Sequence, residues 1–148
     1  MKKALVAIDL SEISRKTAAF AFKHAKDLGV NQLDFIHVLE FRDQMVPRMK
    51  EYAKGFDEKK IKEDILELIK EALEDSQTAS LAHNLIIKTG SPYQEIVRKA
   101  EEDKYELIFI GHRGMSDIEE FLLGSVAAKV VRHAPCDVLV HRPKKEKP

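Results

Sequence analysis

The feature that most narrows what this chain can fold into is a series of short apolar runs alternating with amphipathic segments. The runs are Leu5–Ile8, Leu33–Leu39, Leu107–Ile110 and Val138–Val140, with a weaker one at Leu85–Lys88. Continuous apolar runs of this length suit strands covered on both faces, as in a parallel sheet held between helices. The first intervening segment, Ser11–Leu28, offers Ile13, Phe20, Ala21 and Leu28 as a buried stripe, with Gly29 placed to end the helix. The second, Asp57–Asp75, carries Ile61, Ile65, Leu66, Leu68, Ile69, Ala72 and Leu73 on one side and Lys and Glu on the other. A third helix starts at Ser91-Pro92-Tyr93-Gln94, with Ser91 as N-cap, Pro92 at the first helical position and Gln94 at the capping-box position, and runs to about Asp103. The fourth spans Ser125–His133 and stops ahead of Pro135.

Strict alternation of strand and helix predicts an α/β protein, a parallel sheet with helices on both faces. The 148 residues fit one domain over residues 1–143, with 144–148 as a short basic tail. Glu40–Phe56, containing Pro47 and Gly55, reads as a long functional or mobile connection. A single cysteine, Cys136, excludes an internal disulfide framework and reads as a small packed residue rather than a nucleophile. The opening apolar run ends at Asp9, too short for a signal segment or a membrane span, so a cytoplasmic protein is expected. Acidic and basic residues balance at 25 each, which argues against a nucleic-acid partner.

Ligands of open parallel sheets bind beyond the carboxyl ends of the strands, so the residues after each run carry the functional signal. After the first run comes Asp9-Leu10-Ser11. After the fourth comes Gly111-His112-Arg113-Gly114, then nine residues, then Gly124-Ser125 opening the last helix. Gly111 and Gly114 can turn with positive φ and let the backbone approach a ligand, while Gly124 and Ser125 bring a helix amino terminus and a hydroxyl. These are the parts of a phosphate site. An exposed helix end contributes only about 0.3–1 kcal/mol to an anion, so affinity requires several amides to converge. The structural alternative is a plain turn and a tight helix start. Arg113 could add charge or face solvent, and His112 could meet a phosphate.

The pattern Gly, two residues, Gly, nine residues, Gly-Ser resembles the motif of the universal stress protein family in its ATP-binding branch, and the resemblance covers nearly the whole chain. Val6-Ala7-Ile8-Asp9-Leu10-Ser11, with Ser14 beyond it, is similar to the family's first strand and Asp-x-Ser turn. Leu33–Leu39 resembles its second strand, and Pro135–Val140 its last. The resemblance implies a Rossmann-like, five-stranded parallel sheet in order 3-2-1-4-5 and a homodimer formed through the last strand. It implies phosphates over Gly114, Gly124, Ser125 and Val126, Asp9 beside the nucleotide, Val38 near the adenine, and Ala7, Ile110 and Gly111 lining the pocket. The implied cofactor is ATP, with Mg2+ as a companion and AMP or ADP as alternatives. Ala7 departs from the family, some members of which carry Pro there, and so does Arg113, where small or polar residues are common.

Other nucleotide fingerprints are missing: there is neither a Gly-x-x-x-x-Gly-Lys-Ser/Thr loop nor a Gly-x-Gly-x-x-Gly after the first strand. Lys88-Thr89-Gly90 stands where a receiver domain would need its phosphoacceptor Asp. The Gly-x-x-Gly clamp of a KH module joins two helices, whereas this loop follows a strand. The six histidines form no spaced metal pair. Asp9 could hold a metal, contact the ribose or cap the following helix. Two functions remain: a nucleotide-responsive regulatory protein that signals to a protein partner the sequence does not identify, or a slow magnesium-dependent ATPase. The first is preferred because a cradle is visible and a general base is not.

Overall fold

The computed structural model describes residues 2–40, 47–114 and 123–144, without the side chains of residues 47–57. The elements run β1 (Lys2–Ala7), α1 (Glu12–His24), β2 (Val30–Leu39), α2 (Pro47–Ser76), β3 (His83–Thr89), α3 (Pro92–Glu102), β4 (Leu107–Gly111), α4 (Ser125–His133) and β5 (Asp137–His141). The strands form one parallel sheet in the order β3-β2-β1-β4-β5.

Alternation along each strand divides the interior in two. Ala4, Val6, Leu33, Phe35 and Phe109 pack with Ala18, Ala21 and Phe22 of α1 and with Ile65, Ile69 and Ala72 of α2. Leu5, Ala7, Ile36, Ile108 and Ile110 face the other way, against Ile96 and Ala100 of α3 and Ala127 and Val130 of α4. Both faces of the central strands are therefore dry, which is what their unbroken apolar character demands.

Three sequence expectations need correction. The connection after β2 is shorter than Glu40–Phe56, because α2 already begins at Pro47 and runs through Gly55. Proline is tolerated in a first turn, and a single interior glycine costs only about 1 kcal/mol against alanine, less than the apolar face beyond it returns. Residues 41–46 of that connection lie outside the described residues. The α1 stripe is also displaced: of the expected residues Ala21 is buried, Ile13 and Phe20 are half-buried and Leu28 is exposed, while Ala18, Phe22 and Ala25 are buried instead. The helix ends at His24 and the chain turns, with Val30 N bonded to Ala25 O (2.8 Å) and Gly29 at φ +74°. At α3, Ser91 is the N-cap but makes no side-chain cap bond, and Gln94 instead donates to the Tyr93 hydroxyl at 3.3 Å.

One buried charge is built into the sheet. Asp34 of β2 is 6% exposed, and its Oδ1 accepts from Gln32 Nε2 (2.7 Å), Asn84 N (3.2 Å) and Asn84 Nδ2 (3.3 Å). Its Oδ2 accepts from the Tyr105 hydroxyl at 2.6 Å. Burial, followed by the bond to Asp34, pushes the Tyr105 phenol well above its ordinary range, so it stays a donor. Tyr105→Phe leaves a buried carboxylate short of a donor and should cost about 1–3 kcal/mol of unfolding free energy. Urea titration would show this as a lower midpoint, and an unchanged midpoint would contradict the role given to the phenol.

Candidate functional site

The sheet order places β1 beside β4, with Ala7 paired to Ile110. From β1 the chain crosses to β2 on one side, and from β4 to β5 on the other. A cleft of ≈ 290 Å³ opens where the two connections part, the location expected of a ligand in such a sheet.

Eight of the nine residues singled out from the sequence line this cleft: Ala7, Asp9, Val38, Ile110, Gly111, Gly114, Ser125 and Val126. Gly124 does not. It is buried at the N-cap of α4 with φ −60°, and its N–H donates to His112 O at 2.7 Å. His112 N donates in turn to His141 O at 3.0 Å. His112, the second residue of the glycine loop, is thus strapped to both β5 and α4, and this fixes the start of α4 against the cleft.

Gly111 is not in the positive-φ region proposed for it; the positive-φ glycines of the described residues are Gly29 and Gly90. Its need is steric. A Cβ there would stand 2.6 Å from Ile13 Cγ2 and 3.2 Å from Thr17 Oγ1, so the missing side chain lets α1 lie on the end of β4.

Asp9 anchors the facing loop. Its Oδ1 accepts from Ser11 N (2.9 Å) and Ser14 Oγ (2.8 Å), and Ser14 Oγ accepts from Asp9 N (2.8 Å). The N-cap of α1 is Ser11, whose Oγ accepts from Ser14 N at 3.1 Å. Asp9 therefore does not cap the helix itself but holds the residues that do. Beside it His37 Nδ1 donates to Ile8 O at 2.8 Å, since a carbonyl can only accept.

The cleft has two chemically different ends. Toward β2 it is walled by Ile36, His37, Val38 and Glu40; toward α4 it carries Arg113, Gly114 and Ser125. Pro92 and Ile96 of α3 complete the wall. The sequence reading missed both, because α3 reaches the cleft only through the long crossover from β3 to β4. Their signal was the topology itself, which puts α3 and α4 on one face. Among the described residues no group of three or more His, Cys, Asp and Glu could hold a metal, and no helix is long and apolar enough to cross a membrane. Cys136 is half-buried, and burial followed by the neighbouring Asp137 charge raises its thiol above the ordinary range, which suits an unreactive packed residue.

A parallel sheet in this order, with helices on both faces and a cleft at the point where the strand order reverses, defines a Rossmann-like α/β protein. The chain belongs to the universal stress protein family, whose model matches residues 1–142. It is 31% identical to universal stress protein YxiE of Bacillus subtilis strain 168, across 95% of this chain and 98% of that one. Universal stress protein UspA from Lactobacillus plantarum superposes with a TM-score of 0.81 at 21% identity, covering 95% of this chain and 97% of that chain. A universal stress protein from Archaeoglobus fulgidus solved in complex with dAMP (TM-score 0.62, 19% identity, 95% and 97% covered) shares the fold. So does an Arabidopsis thaliana family member with AMP bound (TM-score 0.64, 17% identity, 95% and 90% covered).

The fit at Gly111 can be measured. Gly111→Ala should lower stability by about 1–3 kcal/mol through overpacking. Ile13→Ala in the same chain should recover part of that loss, so urea midpoints of the two single variants and the double variant would be non-additive. Additive costs would show that the contact with α1 is not what requires glycine.

Proposed function

We propose that this protein binds an adenine nucleotide, ATP in the first instance, in the cleft between β1 and β4 and acts as a nucleotide-responsive regulatory protein in the response to stress. The observation that carries this reading is the convergence on one cleft of Gly111, Gly114 and the amino terminus of α4 with the apolar surface of Ala7, Ile36, Val38 and Ile110. The backbone and Ser125 suit phosphate oxygens, and the apolar end suits a base. Glu40 at that end disfavours the reverse orientation, because it would repel phosphates. The AMP and dAMP held by the Arabidopsis and Archaeoglobus family members support the choice of adenine.

Mg2+ accompanying ATP would be held by phosphate oxygens, with Asp9 as the candidate protein ligand, since this ion usually keeps water and phosphate in its shell. A homodimer through β5 belongs to the same reading. That strand ends the sheet order, Val138 and Val140 are half-buried, and Val131 of the adjacent α4 is 48% exposed, so a second copy would cover both the edge and the apolar surface.

The first test is to denature freshly purified protein and identify the released nucleotide by chromatography and mass. ATP near one per chain supports the reading; no released nucleotide, followed by no calorimetric binding of added ATP with magnesium, overturns it. Gly114→Val should lose detectable nucleotide binding with its circular dichroism unchanged, because a branched side chain would occupy the phosphate approach. A slow ATPase is the competing reading. Asp9→Asn, assayed for turnover and binding together, separates the two: loss of turnover with binding intact would favour the ATPase.

A further inference from the structure

We infer that the outer edge of β3 is a self-association surface, on which a second copy of this chain pairs antiparallel around a two-fold axis at Ile86. This edge lies at the opposite end of the sheet from β5, and the inference does not depend on the nucleotide reading. Leu33 N donates to Ala82 O and Gly90 N to Leu39 O, so the even-numbered residues turn their main-chain groups to β2. Alternation then turns the N–H and C=O of Leu85 and Ile87 outward. Natural sheet edges are usually blunted by charge, proline or a short strand. This one runs seven residues with Leu85, Ile86 and Ile87 half-buried at its middle, and its one charge, Lys88, stands near the end.

The helix over this edge is apolar on the same side. α2 connects β2 to β3 and so lies on the β3 side of α1. Its Ile65, Ile69 and Ala72 pack on the sheet, and Asp64, Glu67 and Glu71 border the groove shared with α1. Leu66 and Leu73, seven residues apart, share the flank turned away from α1, toward the edge. Leu66 is 48% exposed. A lone strand of another protein would leave it in water, whereas a two-fold axis perpendicular to the sheet brings the second copy's α2 alongside and covers it. The strand is also its own complement. With Ile86 at the centre, Leu85 meets Ile87 of the second copy, Ile86 meets Ile86, Asn84 meets Lys88 and His83 meets Thr89. Apolar residues face apolar ones, no like charges are opposed, and the outward groups of Leu85 and Ile87 meet as hydrogen-bonded pairs. Moving the centre to either neighbour sets Ile86 against Asn84 or Lys88, so the pattern specifies the register.

The test is cross-linking of the full chain carrying Cys136→Ser, since Cys136 is its one cysteine. In that background Ile86→Cys should give a disulfide-linked dimer on oxidation with diamide, because the two copies of this position oppose each other as a non-hydrogen-bonded pair with Cα atoms about 4.5 Å apart. Lys88→Cys should not, because its two copies are offset by four residues, about 13 Å along the strands. Sedimentation equilibrium of the unmodified protein should show an association step that Leu66→Glu weakens about tenfold and Ile87→Pro removes. Proline there deletes an outward N–H and leaves the ladder to β2 intact. No cross-link in Ile86→Cys, equal cross-linking at both positions, or a step unchanged in Leu66→Glu and Ile87→Pro would each overturn the proposal, the last by assigning association to β5. If circular dichroism shows that Ile87→Pro does not fold, Leu66→Glu and the two cross-links decide.

Discussion

The pairing of β1 with β4 is the constraint on which the rest of the molecule depends. These two strands are distant in sequence and adjacent in space, with Ala4 to Ala7 in register with Leu107 to Ile110. From Ala4 to Ala7 in β1 and throughout β4 the residues are buried on both faces, so these stretches carry no polar chemistry. Chemistry is confined to the residues just past their ends, and the opposite departures of the chain keep those ends from being covered. The cleft is therefore a consequence of strand order before it is a consequence of any particular side chain. The side chains then decide what the cleft accepts.

The glycine loop shows how much tight packing that arrangement requires. Gly111 does not adopt a conformation denied to other residues; it makes room for Ile13 and Thr17 of α1. The same helix begins in the Asp9-Ser11-Ser14 hydrogen-bond cluster. One helix therefore braces both loops that border the cleft, pressing on the end of β4 with its first turns and tying down the end of β1 with its cap. On the far side, the straps from His112 to His141 and Gly124 set the start of α4 by main-chain bonds. The two walls are held by different means, side-chain packing on one and backbone pairing on the other.

Much of this was legible in the sequence, and the failures have physical causes. Strand cores were readable because burial on both faces removes polar residues altogether, a strong and local signal. The cap at Ser91 was readable because Pro92 restricts what can follow it. The α1 stripe was only partly read because alanine carries almost no signal as a core residue: Ala18 and Ala25 are buried beside the expected Ala21, whereas the bulkier Phe20 packs only partly, between His24 and His141. The start of α2 was hidden by Pro47 and Gly55, which read as breakers unless the tertiary face beyond them is known. Asp9 and the glycine loop followed from motif and topology, and Ala7, Val38, Ile110 and Val126 from the family resemblance, but Pro92 and Ile96 of α3 did not, since no local pattern marks a helix as the wall of a site built elsewhere.

The proposed nucleotide site, made largely of main-chain amides, has a further consequence. Glycine backbone and helix termini present the same donors whatever the neighbouring side chains are, so such a cradle would tolerate change in sequence of the extent that separates this chain from YxiE at 31% identity. The same indifference means that amides alone discriminate poorly between ligands with one phosphate and ligands with three. Any discrimination between them would have to come from side chains around the cleft rather than from the glycines. In this chain the non-glycine positions of the loop are His112 and Arg113, one bonded into the scaffold and the other bonded to the first. The main-chain straps on His112 thus tie this loop to β5 and α4 whatever side chains it carries.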